Sequence, residues 1–207
     1  MAKLTAEQRI ERCHVQLMKH PNFCLFSGLF MVGKVSVDDD IPTARTNGVD
    51  VVYGRAFVDS LNDKQLAFLI LHENMHKAYR HLIVWQGLYK QNKILANAAC
   101  DFVINLQLHD YDPHGMDIEM PTNADGEVLG CIDEKYRGMD SHQVFLMLKK
   151  EMEENGGSGG GKTYVLDEHD WDGADEASPE EQAAAANEIE KALRQGAILA
   201  GKMKGDV

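Results

Sequence analysis

From Leu66 to His81 the chain runs Leu-Ala-Phe-Leu-Ile-Leu-His-Glu-Asn-Met-His-Lys-Ala-Tyr-Arg-His. The run has no Gly or Pro, and its lead-in is apolar on every side, so it predicts a mostly buried helix. Asn62, with Gln65 three residues on, supplies a capping pattern for its start. A second apolar run, from about Lys93 to His109, predicts another long helix. Its one acid is Asp101, with Asn97 and Asn105 one turn to either side. At about 100° per residue these three share a face, a polar stripe on an otherwise apolar helix. Three more helices are predicted at residues 5–20, 140–154 and 178–201. Thr5 with Gln8, Asp140 with Gln143, and Ser178-Pro179-Glu180-Glu181 mark their starts.

The strand signals are shorter. Leu25 to Val37 is rich in aromatic and β-branched residues, and at least part of it reads as strand. Thr43 to Tyr53 reads as a hairpin, with Asn47-Gly48 as a two-residue turn and Val49 to Tyr53 as the returning strand. Asp38-Asp39-Asp40 reads as a solvated turn, without the spacing of a Ca²⁺ loop. Residues 110–139 are loop-rich. Gly156 to Thr163 matches G-x-x-x-x-G-K-[ST] in form, but it follows an acidic helix end, Glu151 to Glu154, instead of a buried strand. Residues 155–162 therefore read as a flexible linker. The sum is an α+β chain, taken as one domain over 1–207 with its core at about 5–175.

Within the first long helix lies His72-Glu73-Asn74-Met75-His76, an H-E-x-x-H motif. Histidines at i and i+4 lie within about 40° of each other, so two neutral imidazoles can share one Zn²⁺. Glu73 is one step round from His72, where a carboxylate can reach the attacking water as general base. The apolar residues running into His72 put these polar groups inside the protein, where they need partners. Asp101 is an acid among apolar residues and is the first candidate for a third ligand, since such sites take one from a second helix. His81 is the rival. It lies about 140° round from His76, so it reaches the same ion only if the helix breaks between them, and no Gly stands there. Otherwise it lines the cleft or holds a neighbouring carboxylate. Further on, Leu166-Asp167-Glu168-His169-Asp170-Trp171 offers His169 as a residue folding back over the site.

The formal net charge of −12 argues against nucleic acid and against an anionic membrane surface as partners. No segment is long and apolar enough to span a bilayer, and the N-terminus lacks a signal-peptide core. Cys13, Cys24, Cys100 and Cys131 are scattered, which fits reduced thiols in a cytoplasmic protein.

Taken together, His72-Glu73-x-x-His76, His81, Asn97-Ala-Ala-Cys-Asp101-Phe-Val-Ile-Asn105 and Asp167-x-His169-x-Trp171 carry a family resemblance. The chain resembles the metallopeptidase-like domain that precedes a von Willebrand factor A-like domain in many bacterial proteins. Pro42-Thr43-Ala44-x-Thr46-x-Gly48 and Tyr53 fit the same pattern, and the match spans roughly residues 5–175. The resemblance implies zinc held by His72, His76 and Asp101, Glu73 as base and His169 in the active site. One residue separates His169 from Trp171 where the family has two, and a stand-alone or phage-encoded version, without the von Willebrand-like domain, is expected. The expected fold is zincin-like: a small sheet with an edge strand by the cleft, two long ligand-bearing helices and peripheral helices. The expected activity is zinc-dependent hydrolysis of a peptide or protein substrate. The alternatives are a binding or scaffold protein with a structural or relic zinc site, and a hydrolase acting on a non-peptide amide.

Overall fold

A computed structural model describes residues 3–154, 168–172 and 177–205. The glycine-rich segment at 155–162 and Asp167 lie outside the described residues. Helix α1 (Ala6–Lys19) begins with the expected reciprocal cap between Thr5 and Gln8. The apolar stretch after it does not become strand at once. Cys24–Phe26 and Leu29–Met31 form two 3₁₀ turns, and strand β1 is confined to Val35–Asp38. Phe23, Phe26, Leu29 and Phe30 are all buried. A straight strand would show alternate side chains to opposite faces, whereas the winding chain turns them all into one core.

Strands β2 (Ala44–Thr46) and β3 (Val51–Gly54) form the antiparallel hairpin, in register Ala44 with Tyr53 and Thr46 with Val51. The turn spans four residues instead of two. Asn47 Oδ1 accepts from the N–H of Val49 at 2.9 Å and of Asp50 at 2.7 Å, and Gly48 takes φ +90°. That Asx geometry draws Val49 and Asp50 into the turn, so β3 starts at Val51. β1 lies parallel to the far side of β3, and β4 (Glu168–His169) lies parallel to β2. The sheet order is β1-β3-β2-β4.

Helix α2 (Arg55–Ser60) follows β3 directly. Helix α3 (Asp63–Tyr79) opens with the Asn62–Gln65 capping box and ends at Arg80, a left-handed residue at φ 50° and ψ 41°. Two single turns, α4 (His81–Val84) and α5 (Gln86–Tyr89), lead to α6 (Lys93–Tyr111), capped by Asn92. Helix α7 (Ser141–Glu154) carries the expected Asp140–Gln143 box, and α8 (Pro179–Gly205) the Ser178–Glu181 box. Helix α8 packs on the body itself. A Cβ on Gly196 would collide with the carbonyl oxygen of Leu25, and one on Gly28 with that of Ala192, so backbones meet where glycine allows them to.

The apolar interior falls into two clusters. One joins α1, the 3₁₀ turns, the sheet, the N-terminal half of α3, and Ile189 and Ala192 of α8. The other joins Leu82, Leu88, Ala96, Ala99, Val103 and Leu106 to Val144, Phe145 and Trp171. Helix α6 serves both, since Ile104 and Leu108 belong to the first. The polar residues of α3 and α6 meet between the two. Among the described residues no helix is long and apolar enough to cross a membrane.

Candidate metal centre

His72 and His76 stand one turn apart on α3 and are 0 % exposed. Their Nε2 atoms are 3.1 Å apart. Asp101 reaches them from α6, with Oδ1 at 3.4 Å from His76 Nε2 and 3.8 Å from His72 Nε2. One ligand atom from each of the three lies within 4.8 Å of the others, in a wholly buried group. Donor atoms bound tetrahedrally to one Zn²⁺ at about 2.0–2.1 Å stand about 3.3 Å from one another. The spacing found here is of that size, and the set of two imidazole nitrogens and one carboxylate oxygen suits a borderline-soft cation.

The hydrogen bonds behind the histidines support this. His72 Nδ1 lies 2.8 Å from Asn105 Oδ1, and Asn105 Nδ2 donates to the carbonyl of Cys131 at 2.9 Å. Because the amide oxygen can only accept, Nδ1 of His72 carries the proton and its Nε2 lone pair faces the cluster. Asn105 belongs to the polar stripe of α6, one turn beyond Asp101. It fixes the tautomer of one candidate ligand from the helix that supplies another.

His81 is also brought to His76, but to its other edge, with the two Nδ1 atoms 3.2 Å apart. The helix does break ahead of His81, against the expectation that a break would need glycine. Arg80 takes the left-handed conformation at a cost of about 1–2 kcal/mol. The break swings His81 back to His76 instead of leaving it far round the helix. It stands outside the group formed by His72, His76 and Asp101. Burial, then the nearby His169 and His72, pull its pKa down to about 3, so the neutral ring can accept a hydrogen bond from His76 Nδ1–H.

Glu73 is fully buried beside His72. Its charge acts on two neighbours that sequence reasoning did not single out for the site. Lys77, one turn further on, is 0 % exposed and donates from Nζ to the Val32 carbonyl at 2.9 Å. Burial lowers its pKa to about 8, against the opposing pull of Glu73, Asp50 and Glu188. The phenol of Tyr53, buried on β3, is held well above its ordinary pKa by burial and then by Glu73. The i to i+4 spacing of Glu73 and Lys77 was a legible signal for the first; nothing in the pattern marked Tyr53 as a neighbour of Glu73.

His169 comes from far along the chain. Its Nε2 is 3.1 Å from His76 Nε2, and it is 5 % exposed. It arrives in β4, paired with Thr46 of β2, and the N–H of Asp170 donates to the Thr46 carbonyl at 2.9 Å. The outer edge of β2 is therefore paired, at Arg45 and Thr46, with this chain's own Glu168 and His169.

The fold and this centre define a class: an α+β protein with an H-E-x-x-H helix, a second helix carrying an acid, and a buried His-His-Asp group able to hold a metal. The chain belongs to the family described as "putative metallopeptidase domain", whose model matches residues 5–206. No curated protein and no solved structure is significantly similar to it.

Proposed function

We propose that the protein is a zinc-dependent metallopeptidase. The observation that carries the reading is the convergence of His72 Nε2, His76 Nε2 and Asp101 Oδ1, fully buried, with Glu73 next to His72 on the same helix. His72, His76 and Asp101 would hold the ion, and three protein ligands are the number that leaves a position open for chemistry. Zn²⁺ there would supply a Lewis acid that polarises the scissile carbonyl and lowers the pKa of the attacking water. Glu73 takes the proton of that water at its carboxylate and returns it to the leaving amine. His169 donates a hydrogen bond to the carbonyl oxygen as negative charge develops. His81 and Asn105 hold the backs of the two histidine ligands. The substrate is a peptide or protein, and the setting is cytoplasmic, in keeping with the acidic charge and scattered cysteines.

The test is zinc content followed by turnover. Protein purified without chelator should carry near-stoichiometric zinc, lost in His72→Ala. Glu73→Gln should keep the zinc and lose hydrolysis of a mixed peptide library, by roughly 10²–10⁴-fold. Hydrolysis undiminished in Glu73→Gln would remove Glu73 from its role. A second reading draws on the 3.1 Å approach of His169 to His76. If His169 is a fourth ligand, the site is closed and structural. Zinc X-ray absorption then counts three imidazoles instead of two.

A further inference from the structure

Asn97, the first member of the polar stripe on α6, lies one turn before Asp101 and points at a different partner. Its Oδ1 accepts the indole N–H of Trp171. Trp171 is 1 % exposed, and its ring stacks on Tyr89 at 5.0 Å between centroids and 12° between planes. Gln86 Nε2 donates to the Trp171 carbonyl at 3.0 Å, and the Tyr89 hydroxyl to Asp172 Oδ1 at 3.2 Å. On the other side of the same short segment, β4 is bonded to β2 through Asp170 and Thr46. His169 thus belongs to a short segment tied to the sheet through Asp170 and, two residues beyond His169, to the second helix through Trp171.

We propose that Asn97 and Trp171 are positioning residues that hold the His169 imidazole against His76. The physical reason is register. A two-residue strand fixes little alone, because a slip of one residue would turn His169 to the opposite face. The indole seated on Asn97 allows one register only. Asn97 and Asp101 share a rigid helix about one turn apart, so the helix that gives the carboxylate ligand also sets where His169 stands. The proposal rests on the metal site of the preceding reading.

The experiment uses the full chain. For the zinc-loaded protein, the rate of zinc transfer to 4-(2-pyridylazo)resorcinol is measured in His169→Ala, Asn97→Ala and Trp171→Phe, and in the double variant Asn97→Ala/His169→Ala. Trp171→Phe keeps the ring stack and removes the N–H. Each single variant should release zinc about 10-fold faster or more, the effect of losing a supporting partner. The double should be no faster than His169→Ala, because both substitutions remove the same contact. Additive effects would mean general loosening and would overturn the proposal, as would unchanged release in Asn97→Ala and Trp171→Phe. A second measurement needs no metal. In the apo protein, long-range ¹H–¹⁵N spectra of the imidazoles should show His169 shifted by Asn97→Ala and Trp171→Phe while His72 stays in place. An unmoved His169 resonance overturns the positioning role; a wild type that takes up no zinc overturns only the preceding reading.

Discussion

Helices α3 and α6 meet at the same centre and bury polar groups in opposite ways. On α3 five polar side chains are buried within six positions, from His72 through Lys77, with only Met75 between them. Charges of both signs lie on one helix with little room between. On α6 the polar residues of the stripe come once per turn, and each has partners on another segment: Trp171 for Asn97, His76 and His72 for Asp101, His72 and Cys131 for Asn105. A crowded cluster needs something outside the helix to balance it, and on α3 the second helix brings Asp101 to His72 and His76 in a group able to hold a metal. A spaced stripe can instead be satisfied residue by residue. The candidate metal-binding and acid-base groups are concentrated on α3, and their partners come from α6.

The contrast can be broken most sharply at Asp101, where α6 joins the cluster directly. Asp101→Ala should release zinc altogether while the fold persists, read as metal content after dialysis beside an unchanged far-ultraviolet dichroism spectrum. Zinc retained in that variant would move the third ligand to another residue and leave α6 a purely supporting helix.

Crowding on α3 should show next in the pH dependence of stability. The Lys77 amine has its pKa lowered by burial to about 8 from an ordinary 10.5. Between those values the unfolded chain binds more protons than the folded one, so folding stability rises with pH across that window and its burial penalty is complete below pH 8. In metal-free protein, the stability difference between Lys77→Met and wild type should shrink by roughly 2 kcal/mol between pH 8 and 10. Urea unfolding at the two values measures it. A constant difference would show that Lys77 is not held against its charge.

Support from α6 is expected to be worth less. Asn105→Ala leaves all three proposed ligands and removes the bond to His72 Nδ1. Zinc affinity should fall by about 10–100-fold, measured by competition with a chelator. A change as large as that of Asp101→Ala would erase the distinction between ligand and support. The smallest effect belongs to the break at the end of α3. Arg80→Gly relieves the left-handed backbone and should raise stability by about 1 kcal/mol without altering zinc content. A loss of zinc there would mean that Arg80 serves the site through its side chain.

Much of α3 could be read from the chain. The apolar run, the capping box at Asn62 and Gln65, and the two histidines one turn apart are local patterns, and local patterns survive folding because a helix fixes its own periodicity. The same holds for Asp101, Asn97 and Asn105 as a stripe, and for the caps at Thr5, Asp140 and Ser178. Their assignments were different. That Asn105 would face His72 and Asn97 would face Trp171 depends on how α6 lies across α3 and on where residues 168–172 dock. The turn at Asn47-Gly48 was visible, but its length was decided by the Asn47 carboxamide bonding two amides. The absence of glycine before His81 gave no warning of a break, since a left-handed Arg costs only about 1–2 kcal/mol and packing can outweigh it.

By itself, then, the sequence determined the two long helices, the His72-Glu73-His76 motif and the lone acid Asp101 in its stripe, because each is written in an unbroken apolar run or a spacing of four residues. Only the tertiary structure decided which ring nitrogen faces which partner, that His81 stands behind His76, that β4 fills the edge of β2, and that His169 arrives from 93 residues beyond His76. Those are contacts between segments distant in the chain. They follow from the packing of two cores against each other, and no periodicity along one strand or helix encodes them.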